Sequence, residues 1–160
     1  MCIICDKSYS NSAVELNISN CMKVKSIPKE LTKLKNLNCS NTKVRDIPKE
    51  FKHLEKLNCT YTNVSKIHKE FTKLKELLTS NTPVKTIPID LTHLEILECD
   101  NTMVGRIPKE LHKLKSIHCE RTGVKKIPRE LINLEHLVWN EANPSAEKII
   151  AKMAKLKNKM

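Results

Sequence analysis

Glycine is nearly absent from this 160-residue chain, which has two. A Gly-rich phosphate-cradling loop is therefore excluded, and the turns must come from a repeated loop geometry. Aromatic residues are scarce as well: one Trp, two Tyr and two Phe leave little to stack on nucleic-acid bases. No apolar run approaches the ~18 residues of a membrane span. The start, Met1 to Asp6, is too short and too poor in basic residues for a secretory signal. The chain is expected to remain cytoplasmic, in its own cell or in an infected host. The six histidines are not clustered as metal ligands, and acids are outnumbered by bases, 18 to 29, for a formal net charge of +11.

What the chain does have is a period. Rows of twenty begin at Leu34, Leu54, Leu74, Leu94, Leu114 and Leu134. Three residues on stand Leu37, Leu57, Leu77, Leu97, Ile117 and Leu137, and two further on Cys39, Cys59, Thr79, Cys99, Cys119 and Trp139. Thr42, Thr62, Thr82, Thr102 and Thr122 follow, then a valine column from Val44 to Val124 and an isoleucine column from Ile47 to Ile127. Pro48, His68, Pro88, Pro108 and Pro128 come next, and Phe51, Phe71, Leu91, Leu111 and Leu131 close each row. An earlier row, with Leu16, Ile18, Val24, Ile27 and Leu31, fits only with one extra residue near Cys21 or Met22. Fixed-period self-similarity of this length is the mark of a solenoid, in which each row buries its apolar side against its neighbours.

The string L-x-x-L-x-C-x-x-T-x-V-x-x-I-P-x-x-L/F resembles the leucine-rich-repeat family over residues 14 to 140. It is most similar to the short twenty-residue class of bacterial effectors and some large DNA viruses. A viral or effector origin also fits the lysine bias, 25 lysines to 4 arginines, of an AT-rich coding sequence. The resemblance implies an α/β solenoid arc, with about seven parallel strands on the concave face and 3₁₀ or extended turns on the convex face. It also implies that a protein partner binds the concave sheet. One departure concerns the family's usual Asn, which stitches neighbouring turns; here Thr stands in its place. One hydroxyl cannot match two amide donors, and the adjacent Asn41, Asn81 and Asn101 are candidates to share the task.

Each row should place a short strand over its L-x-C segment, such as Leu37 to Ser40. Three regions are expected: an N-terminal cap over 1–13, repeats over 14–140, and a C-terminal amphipathic capping helix over 141–160. Asn143 and Pro144 read as N-cap and first helical residue, and Ala146, Ile149, Ile150, Met153 and Leu156 form the helix's apolar stripe. Trp139, replacing a cysteine, is large enough to close the core. Lys35, Glu55, Lys75, Glu95, Lys115 and Glu135 alternate in sign from row to row, which suggests weak attraction between turns and growth by pairs of rows. Solenoids with weak caps pair end to end, and the N-terminal cap is the weaker one, so a homodimer through the caps is open.

The seven cysteines are expected to be free thiols, four of them in one inward column where they pack as small hydrophobes. A buried thiol without a base makes a poor nucleophile, and with no other catalytic constellation in view no enzyme activity and no cofactor are expected. Cys2 and Cys5 have the spacing of half a zinc site. A full site needs two more ligands; Cys21 is the nearest and no histidine precedes His53. A capping strand with two free thiols is the preferred account of them, and no metal is assigned.

Sorting charge by face is more informative than its total. A bulk charge of +11 points first to nucleic acid or an anionic membrane. Period-two alternation, however, puts the columns of Asn36, Asn38 and Ser40 on the outside of the sheet. Those columns hold five acids (Glu15, Glu76, Glu98, Asp100, Glu120) and one base, Lys56, a net of −4 with histidines neutral. The positive charge is left to the convex side, the edges and the C-terminal helix. The expected function is a protein-interaction module that takes a partner with a basic surface through Tyr61, Glu76, Leu78, Ile96, Glu98, Asp100, His118 and Glu120. The alternative is a non-specific polyanion binder, for nucleic acid or anionic membrane, that uses the convex and C-terminal lysines.

Overall fold

The computed structural model of the protein describes residues 4, 8–139 and 146–158. Seven three-residue strands, β1 (Glu15–Asn17), β2 (Asn36–Asn38), β3 (Lys56–Asn58), β4 (Glu76–Leu78), β5 (Ile96–Glu98), β6 (Ser116–His118) and β7 (His136–Val138), form one sheet in chain order. Every neighbouring pair is parallel. A helix, α1 (Ala146–Lys157), follows. The molecule is the expected solenoid. Its core is a stack of the predicted columns: Leu34, Leu37, Cys39, Val44, Ile47 and Phe51 are buried, as are their counterparts in the later rows apart from the half-buried Trp139.

The strands are shorter than expected and begin one residue earlier. The reason is local. The Asn38 carboxamide oxygen accepts the Ser40 N–H at 3.1 Å and the Ser40 hydroxyl at 2.8 Å, which bends the chain away from the sheet. Asn58 does the same with Thr60. The next residue then enters the left-handed region, with φ between 51° and 62° at Asn20, Asn41, Tyr61, Asn81, Asn101 and Arg121. Asn tolerates that region better than most residues, which explains four of the six.

The threonine column closes the loop within its own row. Thr62 Oγ1 donates to the Cys59 carbonyl at 2.6 Å and accepts the Val64 N–H at 3.4 Å, and Thr42 and Thr102 repeat the pattern. Stitching between rows falls to backbone: the N–H of Asn41 reaches the Thr60 carbonyl, that of Asn81 the Asp100 carbonyl, and that of Asn101 the Glu120 carbonyl, at 2.8–2.9 Å. The asparagines therefore contribute chiefly a backbone conformation. Only the carboxamides of Asn41 and Asn20 also join, at 2.7 Å.

The irregular first row confirms this division. β1 pairs with β2 at an offset of 21, Leu16 against Leu37, whereas the later strands pair at 20. The left-handed residue to valine spacing shows where the extra residue sits: Asn20 to Val24 against Asn41 to Val44. It lies within residues 21–23, where the sequence placed it. There the Cys21 N–H bonds the Ile18 carbonyl and the Val24 N–H bonds the Cys21 carbonyl. One additional backbone unit does the work of the missing threonine hydroxyl.

Opposite the sheet each row makes two successive turns, Phe51 N–H to the Pro48 carbonyl and Leu54 N–H to the Phe51 carbonyl, both at 3.1 Å. Alternating charges link the rows, as Lys35–Glu55 at 3.5 Å, Lys75–Glu55 at 2.9 Å and Lys115–Glu95 at 2.7 Å. The Lys75 ammonium holds the Glu55 carboxyl below its ordinary pKa.

At the C-terminal end, Trp139, Ile149 and Ile150 pack against the core, and α1 lies against β7. One edge of the solenoid carries a ladder in which Lys43, Asn63, Met103 and Gly123 each give an N–H to the valine carbonyl of the preceding row. Pro83 has no N–H to give at its row. After the last row the Trp139 indole Nε1–H takes over, donating to the Val124 carbonyl at 3.0 Å. Cys2 and Cys5, and the expected helix start at Asn143 and Pro144, lie outside the described residues.

Candidate interaction face

In each strand a buried middle residue is flanked by exposed or half-buried ones, so the outward strand columns are those that period two assigns. Pairing puts Glu76 opposite Ile96 and Leu78 opposite Glu98, which makes Leu78 and Ile96 diagonal neighbours on adjacent strands. Ile96 is 37% exposed and Leu78 half-buried. Tyr61, 64% exposed, stands beyond the end of β3 on the left-handed residue rather than on a strand. The next pairing adds Glu98 opposite His118 and His118 opposite Val138. Val138, 37% exposed, is a separate apolar residue on the last strand, divided from Leu78 by Glu98 and His118. Its column position was the signal for it, with no neighbouring apolar residue to single it out.

Charge is unevenly spread over this face. In the N-terminal half the groups are matched: Asn36 Nδ2 donates to Glu15 Oε1 at 2.7 Å, and Lys56 lies 3.0 Å from Glu76. A hollow of about 330 Å³ sits here, lined by Asn36, Asn38, Asn58 and Leu78 among others. The face's single base is thus already engaged. In the C-terminal half Glu98, Asp100 and Glu120 face no base within salt-bridge distance among the described residues. Ser80 Oγ accepts the Asp100 N–H at 3.1 Å, and Asp100 Oδ1 accepts the Glu120 N–H at 2.6 Å. These bonds fix the Asp100 carboxylate at the strand ends, so the acids without a base are Glu98 on β5 and Asp100 and Glu120 just beyond β5 and β6.

Metal chemistry finds no support on this surface, since among the described residues no group of three or more His, Cys, Asp or Glu side chains could hold an ion. The cysteine column is buried and its thiols are free. Burial pushes Cys59 up to about 11 and Cys119 up to about 12, and raises Cys39 and Cys99 as well. Thiols so far from ionised lack the thiolate that a nucleophile requires. Thr79 interrupts the column and is itself bonded, to Thr82 Oγ1 at 2.9 Å and to Cys59 Sγ at 3.5 Å.

No protein-family model matches the chain, and no characterised protein matches it in sequence. Solved structures do match. The functional domain of the internalin InlJ from Listeria monocytogenes, described as including a cysteine ladder, superposes with a TM-score of 0.80 at 21% identity, over 89% of this chain and 34% of that one. A leucine-rich-repeat protein of Leptospira interrogans gives 0.60 at 24% identity, over 93% and 48%. The Arabidopsis receptor kinase HAESA, solved with the peptide hormone IDA and the co-receptor SERK1, gives 0.67 at 22% identity, over 82% and 26%. The chain spans between about a quarter and half the length of these three proteins. At such identities the likeness speaks for architecture, and the architecture is that of a leucine-rich-repeat solenoid.

Proposed function

We propose that the protein is an interaction module whose sheet face holds a basic segment of a protein partner. The observation that carries the reading is the charge inversion: a sheet face of −4 on a chain of +11. Phosphate groups would be repelled from that face, whereas lysine or arginine side chains would be attracted, gaining specificity and association rate. Leu78 and Ile96 supply the apolar centre that interfaces concentrate their energy in, with Tyr61 at the rim as aromatic anchor. Glu98, Asp100, His118 and Glu120 form the polar side nearest β5 and β6, and Glu76 sits between the two halves. That HAESA, similar in fold, was solved in complex with a peptide hormone supports this reading.

The test uses an affinity pull-down from nuclease-treated lysate, followed by titration of the recovered partner against purified protein. Wild type is compared with Leu78→Asp/Ile96→Asp and with Asp100→Lys/Glu120→Lys, each checked for folding by circular dichroism. The reading expects at least a ten-fold loss of affinity in both variants. Unchanged affinity in folded variants would place the binding surface elsewhere.

A second reading follows from the lysines away from the sheet: non-specific polyanion binding. Its affinity should fall steeply between 50 and 200 mM salt. Retention that disappears with nuclease treatment, and is indifferent to the sheet-face substitutions, would favour it.

A further inference from the structure

On the side opposite the sheet, rows four to six enclose a groove of about 700 Å³. Its lining joins Ile89, Ile107, Pro108 and Pro128 to the cations Arg106, Lys109, Lys126 and Arg129, with Glu110 and Glu130 alongside. Two features separate it from the rest of that surface. The first is Ile89. The same position of the other rows carries Lys29, Lys49, Lys69, Lys109 and Arg129, so one isoleucine, 51% exposed, interrupts a column of cations where the groove lies. The second is unspent charge. Ion pairs hold Lys35, Lys56, Lys75 and Lys115 elsewhere, but among the described residues none involves Arg106, Lys109 or Lys126.

We propose that this groove binds a short acidic peptide segment of a partner protein, with one apolar side chain seated beside Ile89 and its carboxylates on Arg106, Lys109 and Lys126. Charge complementarity selects an anion, and the apolar floor selects one with a hydrophobic group among its charges. Nucleic acid fits less well. The lining offers no aromatic ring for a base, and Glu110 and Glu130 would oppose a backbone that is charged at every residue. A peptide can place its carboxylates to avoid them. The site is separate from the sheet face, so either can fail without the other.

The experiment is fluorescence anisotropy with a labelled peptide of glutamates flanking one leucine, at 50 and 150 mM salt. The comparison probes are the same peptide with serine for leucine and an oligothymidine of equal charge. The wild type should prefer the leucine peptide over the serine peptide by at least three-fold. Arg106→Glu/Lys126→Glu should weaken the leucine peptide at least ten-fold. Ile89→Lys, which restores the residue type of the other rows and so keeps the fold, should abolish the preference for leucine while keeping attraction to acid. No leucine preference, indifference to the charge reversal, or tighter binding of the oligothymidine would each overturn the assignment.

Discussion

The left-handed residue of each row offers a test in which conformation is nearly the only variable. Asn101 has φ 53°, is exposed, and sends its N–H to the Glu120 carbonyl at 2.9 Å. Its side chain makes no hydrogen bond among the described residues, so replacing it leaves the bond between rows in place. For a residue with a Cβ the left-handed conformation costs about 1–2 kcal/mol, and asparagine pays less than most. Asn101→Ala should therefore destabilise the protein by about 1 kcal/mol. Asn101→Val, β-branched, should cost more. Asn101→Gly should lie close to wild type, because the freedom that glycine gains at positive φ is offset by the roughly 0.5–1 kcal/mol of unfolded-chain entropy it must surrender. Urea titration followed by circular dichroism reads the series, and for a chain of this size 1 kcal/mol corresponds to about 2–4 °C in Tm. An alanine variant as stable as wild type, or a glycine variant less stable than alanine, would refute the argument that these asparagines are selected for their backbone.

Three further outcomes follow from the geometry. Thr62→Val keeps the shape but removes the hydroxyl that serves the Cys59 carbonyl and the Val64 N–H, so a loss of about 1–3 kcal/mol is expected in urea unfolding. Trp139→Phe keeps most of the apolar volume and deletes the indole N–H on the Val124 carbonyl, which should cost about 1 kcal/mol, with Trp139→Ala costing more. The buried thiols make stability fall in alkali. Each is held neutral by the fold, so its contribution is complete below pH 9, where the unfolded thiol is neutral too, and shrinks as pH rises through 9 toward the folded values of about 11 at Cys59 and about 12 at Cys119. The slope is about 1.4 kcal/mol per pH unit per thiol. Cys59→Thr, which copies Thr79, should flatten the decline in urea midpoint between pH 8 and 10, and an unchanged slope would contradict it.

The fold was legible because a twenty-residue period repeats one structural equation six times. Burial of Leu37, Cys39, Val44 and Ile47 follows from it, and even the one-residue irregularity near Cys21 was locatable from register alone. What period could not supply was the partition of hydrogen bonds. The threonine column looked like a deficient asparagine column. In the structure it closes its own row, and the neighbouring left-handed residue joins the rows. Strand limits were misplaced for the same reason, since the Asn38 side chain bends the backbone that alternation alone would extend. The sheet face was legible as a charge pattern in one dimension. That Lys56 is spent on Glu76, leaving Glu98, Asp100 and Glu120 without a base among the described residues, needed distances. The groove at Ile89 was missed because that column was read as bulk positive charge rather than as five cations and an exception.

Trp139 has a consequence for the length of the molecule. A stack of identical rows has no internal reason to stop, because every row presents the next with the same carbonyl and the same strand edge. An indole placed where the next row's N–H would arrive turns that open acceptor into a filled one. New rows can be spliced in ahead of it without exposing an end. Removing it would reopen the Val124 carbonyl, while α1 would still lie against β7.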